Sequence, residues 1–167
     1  MSDRIQMISL VERLSEARVL CLGDVMLDQF VYGHIERISP EAPIPIFNID
    51  NQDSMLGGAG NVARNIAALG GRLRFLSVAG TDVEGDHVST LLRDLPKLNA
   101  TLVRERARRT TVKTRFLSGT QQTMRTDWET LDEIAAPTQK KIIDAALKAL
   151  ASCSVVVMSD YGKGVLS

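Results

Sequence analysis

Apolar residues fall along this chain in two rhythms. Continuous runs at 19–23, 73–79 and 155–158, bounded by polar or glycine residues, predict core strands buried on both faces of a parallel sheet, with a further strand at 101–104. Between them the apolar spacing is helical. Residues 5–14 predict a short amphipathic helix. Val62, Ile66 and Leu69 mark the buried stripe of a second, closed by Gly70 and Gly71, in which Ala63 and Ala67 permit close packing. Val88, Leu91, Leu92 and Leu95 form the face of a third that stops before Pro96. Ile143, Leu147 and Leu150 mark the stripe of a fourth, with Pro137 in its first turn.

Two regions break this alternation. Residues 30–33 and 44–49 are rich in β-formers but are joined through Pro40, Pro43 and Pro45, and proline confines a strand to an edge or an end. Val112, Thr114 and Phe116 alternate with Lys113, Arg115 and Leu117, Ser118 and Gly119 supply a turn, and 122–127 returns, which predicts a hairpin. Strands alternating with helices give right-handed crossovers. The expected fold is therefore α/β, a mostly parallel sheet with helices on both faces, plus a small peripheral β layer outside it. The sequence reaches Ser167 just past a core strand and its loop, where this alternation calls next for another helix and strand.

Charge narrows the partners. Twenty Lys and Arg balance twenty Asp and Glu over 167 residues, and 44% of residues are hydrophobic. That composition gives a packed domain without a global field for nucleic acid or an anionic membrane, so a small-molecule partner is expected. Arg104, Arg106, Arg108 and Arg109 read as a solvated loop, since no aromatics interleave to stack bases. Cys21 and Cys153 read as buried thiols, and His34 and His87 stand apart from any ligand-like partner, so no metal site is expected. Charged residues interrupt the first twenty positions, which argues against a signal peptide or membrane span and for a cytoplasmic protein.

Ligands of open α/β sheets collect beyond the carboxyl ends of the strands. Asp24 and Asp28 follow the first strand, Gly57, Gly58, Ala59, Gly60 and Asn61 precede a helix, and Ser159, Asp160, Tyr161, Gly162, Lys163 and Gly164 follow the last strand. The glycines let backbone approach a polar ligand at a helix start, and Asn61 can both donate to and accept from hydroxyls; the same cluster also suits tight packing of loop on helix. Asp28 can grip hydroxyls or cap a turn, and Asp160 with Lys163 can bind a ligand or stand as an exposed pair. The cluster is neither a Walker loop nor a dinucleotide fingerprint, and Gly23, Asp24 and Val25 replace the glycine-rich turn that a nucleotide-dependent oxidoreductase would need.

The stretch 57–70, GGAGNVARNIAALG, resembles the first signature of the ribokinase-like, or PfkB, carbohydrate kinases, and 80–85, GTDVEG, resembles the Gly-x-Asp-x-x-Gly element that follows it. A nearer resemblance, through 23–28, 37–45 and 159–164, is to the heptose-7-phosphate kinases of bacterial lipopolysaccharide core synthesis, the kinase part of a protein often fused to an adenylyltransferase. The resemblance implies transfer of the γ-phosphoryl of ATP, with Mg²⁺, to the anomeric hydroxyl of D-glycero-D-manno-heptose 7-phosphate. It further implies a sugar held by Asp28, Gly57, Gly58 and Asn61, and a lid formed by about 29–53 and 111–128 that closes over the sugar and pairs into a homodimer. A phosphorylated sugar also needs cations. Lys113, Arg115, Arg125 and Lys163 are the candidates from charge and placement, Arg125 and Lys163 foremost, with Asp127 and Asp160 beside them.

The family's second signature, Asp-Thr-x-Gly-Ala-Gly-Asp, is absent from these 167 residues. Its final Asp is the general base that the resemblance leads one to expect, and its glycines form the anion hole. No catalytic residue is therefore assigned, and the base is expected beyond Ser167. The chain reads as the amino-terminal portion of one kinase domain, a truncated product without turnover of its own and without tight ATP binding. The rival reading is a non-catalytic sugar-phosphate-binding or dimerising module.

Overall fold

The computed structural model describes residues 2–166. Ser167, the position beyond which the general base is expected, lies outside the described residues. The apolar run after Arg18 forms β1 (Arg18–Gly23), flanked in parallel by β4 (Arg72–Gly80) and by β8 (Val155–Ser159), with β5 (Leu98–Glu105) outside β4. The strand order is β5-β4-β1-β8, so the crossovers change direction at β1 and open a crevice beyond the carboxyl ends of β1 and β8.

A second sheet grows out of the first through a single residue, Asp24. It contains β2 (Val25–Ile38) and β3 (Pro45–Gly58), an antiparallel pair, then β6 (Thr111–Ser118), parallel to β2, and β7 (Gln121–Trp128), antiparallel to β6. The β6–β7 hairpin was legible from its alternation. The β2–β3 ribbon is much longer than the 30–33 and 44–49 expected, because polar residues such as Gln52 and Asp53 pair through backbone while their side chains stay exposed. Consequently Gly57 and Gly58 are not a free loop but the last residues of β3, which passes directly into α2 (Ala59–Ala68).

Helices α2 and α3 (Val83–Arg93) cover one face of the first sheet. Val19, Cys21, Leu73 and Phe75 pack there with Ala63, Val88 and Leu92, and Val25, Leu27, Leu56 and Val112 extend the same core under the second sheet. Burial of one such large side chain contributes roughly 1.5–3 kcal/mol. On the other face, α4 (Ala136–Leu150) packs Ile142 and Ala149 on Leu20, Leu76 and Val78. The helix α1 (Ser2–Arg13) presents Ile5, Met7, Leu10 and Val11 to solvent.

Three expectations about buried faces are corrected. In α2 the small residues Ala59, Gly60, Ala63 and Ala67 meet the sheet, Val62 and Ile66 pack partly buried against the core as expected, and Leu69 is 51% exposed. In α4 the buried positions are Thr138, Ile142 and Ala149, while Ile143, Leu147 and Leu150 face out. The fully buried positions of α2 are all small, whereas α4 seats Ile142 between smaller neighbours. The strand β8 was expected in the core but forms an edge of the described sheet, with Val155, Val156 and Met158 exposed.

Candidate functional site

Alternation along the second sheet decides which side chains meet. Asp28 and Phe30 of β2, Lys113 and Arg115 of β6, and Arg125 and Asp127 of β7 are register partners or lie two apart, so they share one face. Arg115 donates to Asp28 Oδ1 at 2.6 Å and lies over the Phe30 ring, 5.4 Å from its centroid. Lys113 donates to Asp127 Oδ2 at 2.6 Å, and Arg125 grips the same carboxylate twice, at 2.7 and 3.1 Å. Glu129 continues the alternation one step past β7 and joins Lys113 at 3.5 Å to Lys163 at 2.9 Å.

The four cations of this face therefore meet three carboxylates, leaving one net positive charge. The Lys113 ammonium, assisted by Arg125 and opposed by burial, holds the Asp127 carboxyl below its usual range. The Lys163 ammonium does the same for Glu129, again against some desolvation. Each carboxylate is engaged by Arg or Lys, a donor set suited to a sugar phosphate rather than to a Mg²⁺ cage. Among the described residues no group of three or more His, Cys, Asp or Glu could hold a metal.

Lys163 reaches Glu129 because its backbone is fixed twice. Its N–H donates to Asp24, and its carbonyl accepts from Arg108 at 2.7 Å. Asp24, 1% exposed, accepts three backbone N–H bonds, from Tyr161 and Lys163 at Oδ2 and from Val165 at Oδ1, and so ties the loop after β8 to the end of β1. Asp160 engages its own turn, accepting from Gly162 N–H at 2.8 Å, and is outside the ion-pair network.

The glycines act by close approach. A Cβ on Gly57 would lie 2.3 Å from Asp28 Oδ2. Gly58 holds φ +56° and ψ −132°, and a Cβ there would meet the Asp24 carbonyl at 2.3 Å. That carbonyl accepts from Ala59 N–H at 2.9 Å, docking the start of α2 beside the crevice. Asn61 stands exposed on the first turn of α2, and its side chain makes no hydrogen bond to any described residue.

The 80–85 element is a clamp. Asp82 caps α3 through Gly85 N–H and accepts from both the N–H and the hydroxyl of Thr110, at 2.8 and 2.5 Å. Burial alone would raise its pKa, but those hydrogen bonds outweigh it and leave the carboxyl lowered.

The solvated-loop reading of the arginine run is corrected for Arg104 and Arg108, while Arg106 and Arg109 stand exposed. Arg108 is 8% exposed and donates to the carbonyls of Thr130, Asp132 and Lys163. Arg104 bonds the carbonyls of Gly80 and Asp82, and Arg109 lies 3.8 Å over the Trp128 ring. Loops that cross the sheet end leave carbonyls without partners, and guanidinium donors satisfy them. Arg108 and Glu129 were missed as site residues, and Asp24 was noted at the strand end without a role; Glu129 had a signal, the period of two shared with Arg125 and Asp127.

The family model that describes the pfkB family carbohydrate kinases matches residues 16–166. The bifunctional protein HldE of Rhodospirillum rubrum is 48% identical over 157 residues, 94% of this chain and 32% of that protein. The protein of the same name in Paramagnetospirillum magneticum is 43% identical over 167 residues, the whole chain and 34% of the relative. The chain thus spans about a third of the length of these relatives. Among solved structures, phosphofructokinase-2 from Escherichia coli in complex with fructose-6-phosphate superposes with a TM-score of 0.63 at 20% identity, covering 87% of this chain and 47% of that one. A carbohydrate kinase from Agrobacterium tumefaciens gives 0.61 at 20% identity, covering 85% and 45%.

Proposed function

The chain belongs to the pfkB family of carbohydrate kinases, and from that premise we propose that it forms the sugar-phosphate-binding part of a heptose 7-phosphate kinase. The full reaction is transfer of the γ-phosphoryl of ATP, with Mg²⁺, to the 1-hydroxyl of D-glycero-D-manno-heptose 7-phosphate, a cytoplasmic step toward the lipopolysaccharide core. The observation that carries this reading is the single face on which Asp28, Arg115, Lys113, Arg125 and Asp127 converge, with Lys163 anchored beside it.

In this reading Asp28 accepts from sugar hydroxyls. Gly57 and Gly58 bring backbone to the ring, and Asn61 adds a hydrogen bond from the helix start. Arg125 and Lys163 turn from their carboxylates to the 7-phosphate, which offers more charge and more acceptor oxygens than one carboxylate. Residues 29–53 and 111–128 act as a lid that excludes water and pairs with a second copy.

Because the 167 residues contain no Asp-Thr-x-Gly-Ala-Gly-Asp, this reading puts the general base beyond Ser167, and the chain alone binds the sugar phosphate without turning over ATP. A coupled assay on this chain is expected to give no heptose-dependent ADP, while heptose 7-phosphate raises its melting temperature. ADP formation would overturn the inactivity, and no thermal shift would overturn the binding role.

A further inference from the structure

A cavity lies at the far end of the first sheet. Arg18 opens β1 and Asp24 follows its other end, so a strand length separates this cavity from the sugar face. It measures about 490 Å³, in the range of small-ligand sites, and is lined by Arg18, Arg72, Arg74, Lys97, Asn99 and Ser152, with Val19 and Leu73 as apolar wall.

The charge here is unbalanced. Arg18 and Arg72 are register partners on neighbouring strands, and Arg74 leaves β4 on the same face as Arg72. Like charges directly opposite on a sheet repel. No carboxylate lines the cavity, and none of the three guanidiniums donates to any described residue. The carbonyls at the end of α4 do not serve them: Ser152 takes that of Ala149, and Cys153 N–H takes that of Leu150. Lys97 is the one non-glycine with positive φ (56°) among the described residues, a conformation found at ligand clamps and turns. The folded chain thus holds three exposed guanidiniums together with no carboxylate beside them, while the Lys97 ammonium donates to the Gly70 carbonyl at 3.1 Å.

We propose that this cavity is a binding site for a small phosphate-bearing anion, separate from the sugar face. The guanidiniums and Lys97 meet the phosphate oxygens, Asn99 and Ser152 reach neutral polar groups, and Val19 and Leu73 accept a carbon skeleton.

Inorganic pyrophosphate and orthophosphate are the probes, titrated into the full chain while the amide NMR signals of Arg18, Arg72, Lys97 and Asn99 are followed. Saturable shifts at these amides are expected, with pyrophosphate the tighter by roughly tenfold. The pair Arg72→Gln and Arg74→Gln together, and Arg18→Gln separately, each weaken this response roughly tenfold or more while the remaining spectrum stays folded. Absence of shifts there, or shifts that persist in whichever variant folds, would overturn the proposal. So would shifts produced by anionic vesicles or single-stranded RNA but not by pyrophosphate. Phosphate shifts confined to Lys113 and Arg125 would place the ion on the sugar face and also count against it.

Discussion

The Asp28 carboxylate occupies the volume that a side chain on residue 57 would need, with a Cβ there falling 2.3 Å from Oδ2. Gly57→Ala is therefore expected to push Asp28 aside and break its 2.6 Å contact with Arg115. Sugar-phosphate affinity, measured by calorimetry, should fall by about ten- to a hundredfold, the scale of losing a charged hydrogen bond. Unchanged affinity would separate Asp28 from the sugar.

Gly58→Ala fails differently. Its φ of +56° and ψ of −132° suit only glycine, and the obstacle is backbone, the Asp24 carbonyl, which cannot swing away. A loss of about 2–4 kcal/mol is expected, read as a lower denaturant midpoint with the slope unchanged.

Asp24→Asn tests the tie between the two strand ends. An amide has one acceptor oxygen, so it cannot serve Tyr161, Lys163 and Val165 together, and its NH₂ opposes at least one backbone donor. Hydrogen exchange at those three amides should accelerate, with a stability loss of about 1–3 kcal/mol. Unaltered protection would mean the loop is held elsewhere.

The strands β1 and β4 were legible because both faces are buried, and an unbroken apolar run has few other solutions. The helices were located, and the face of α3 was read correctly, but that of α4 was not. In α4, Ile142, Ala146 and Ala149 form a helical stripe as good as Ile143, Leu147 and Leu150, and which of the two meets the sheet is decided by tertiary packing rather than by local pattern. Arg125, Asp127 and Lys163 were named from charge and placement near the sheet end. Their network was not, because Glu129 and Asp24 act through register and backbone bonds that pair residues far apart in sequence.

Acid should loosen the β6–β7 hairpin. Asp127 and Glu129 have folded-state pKa values below their ordinary 3.8 and 4.5, so their pairing is complete above those values and lost as pH falls through the folded ones. Carboxyl NMR titration should show both midpoints depressed, and Lys113→Met should move that of Asp127 upward. An Asp127 midpoint indifferent to Lys113 would remove the ion pair.

The most direct measurement is calorimetric binding of heptose 7-phosphate and of the unphosphorylated heptose to the chain and to its Arg125→Ala variant. The convergence of cations on the Asp28 face predicts that the variant loses roughly tenfold or more toward the phosphorylated sugar and little toward the other. Equal losses for both sugars, or none for either, would contradict it.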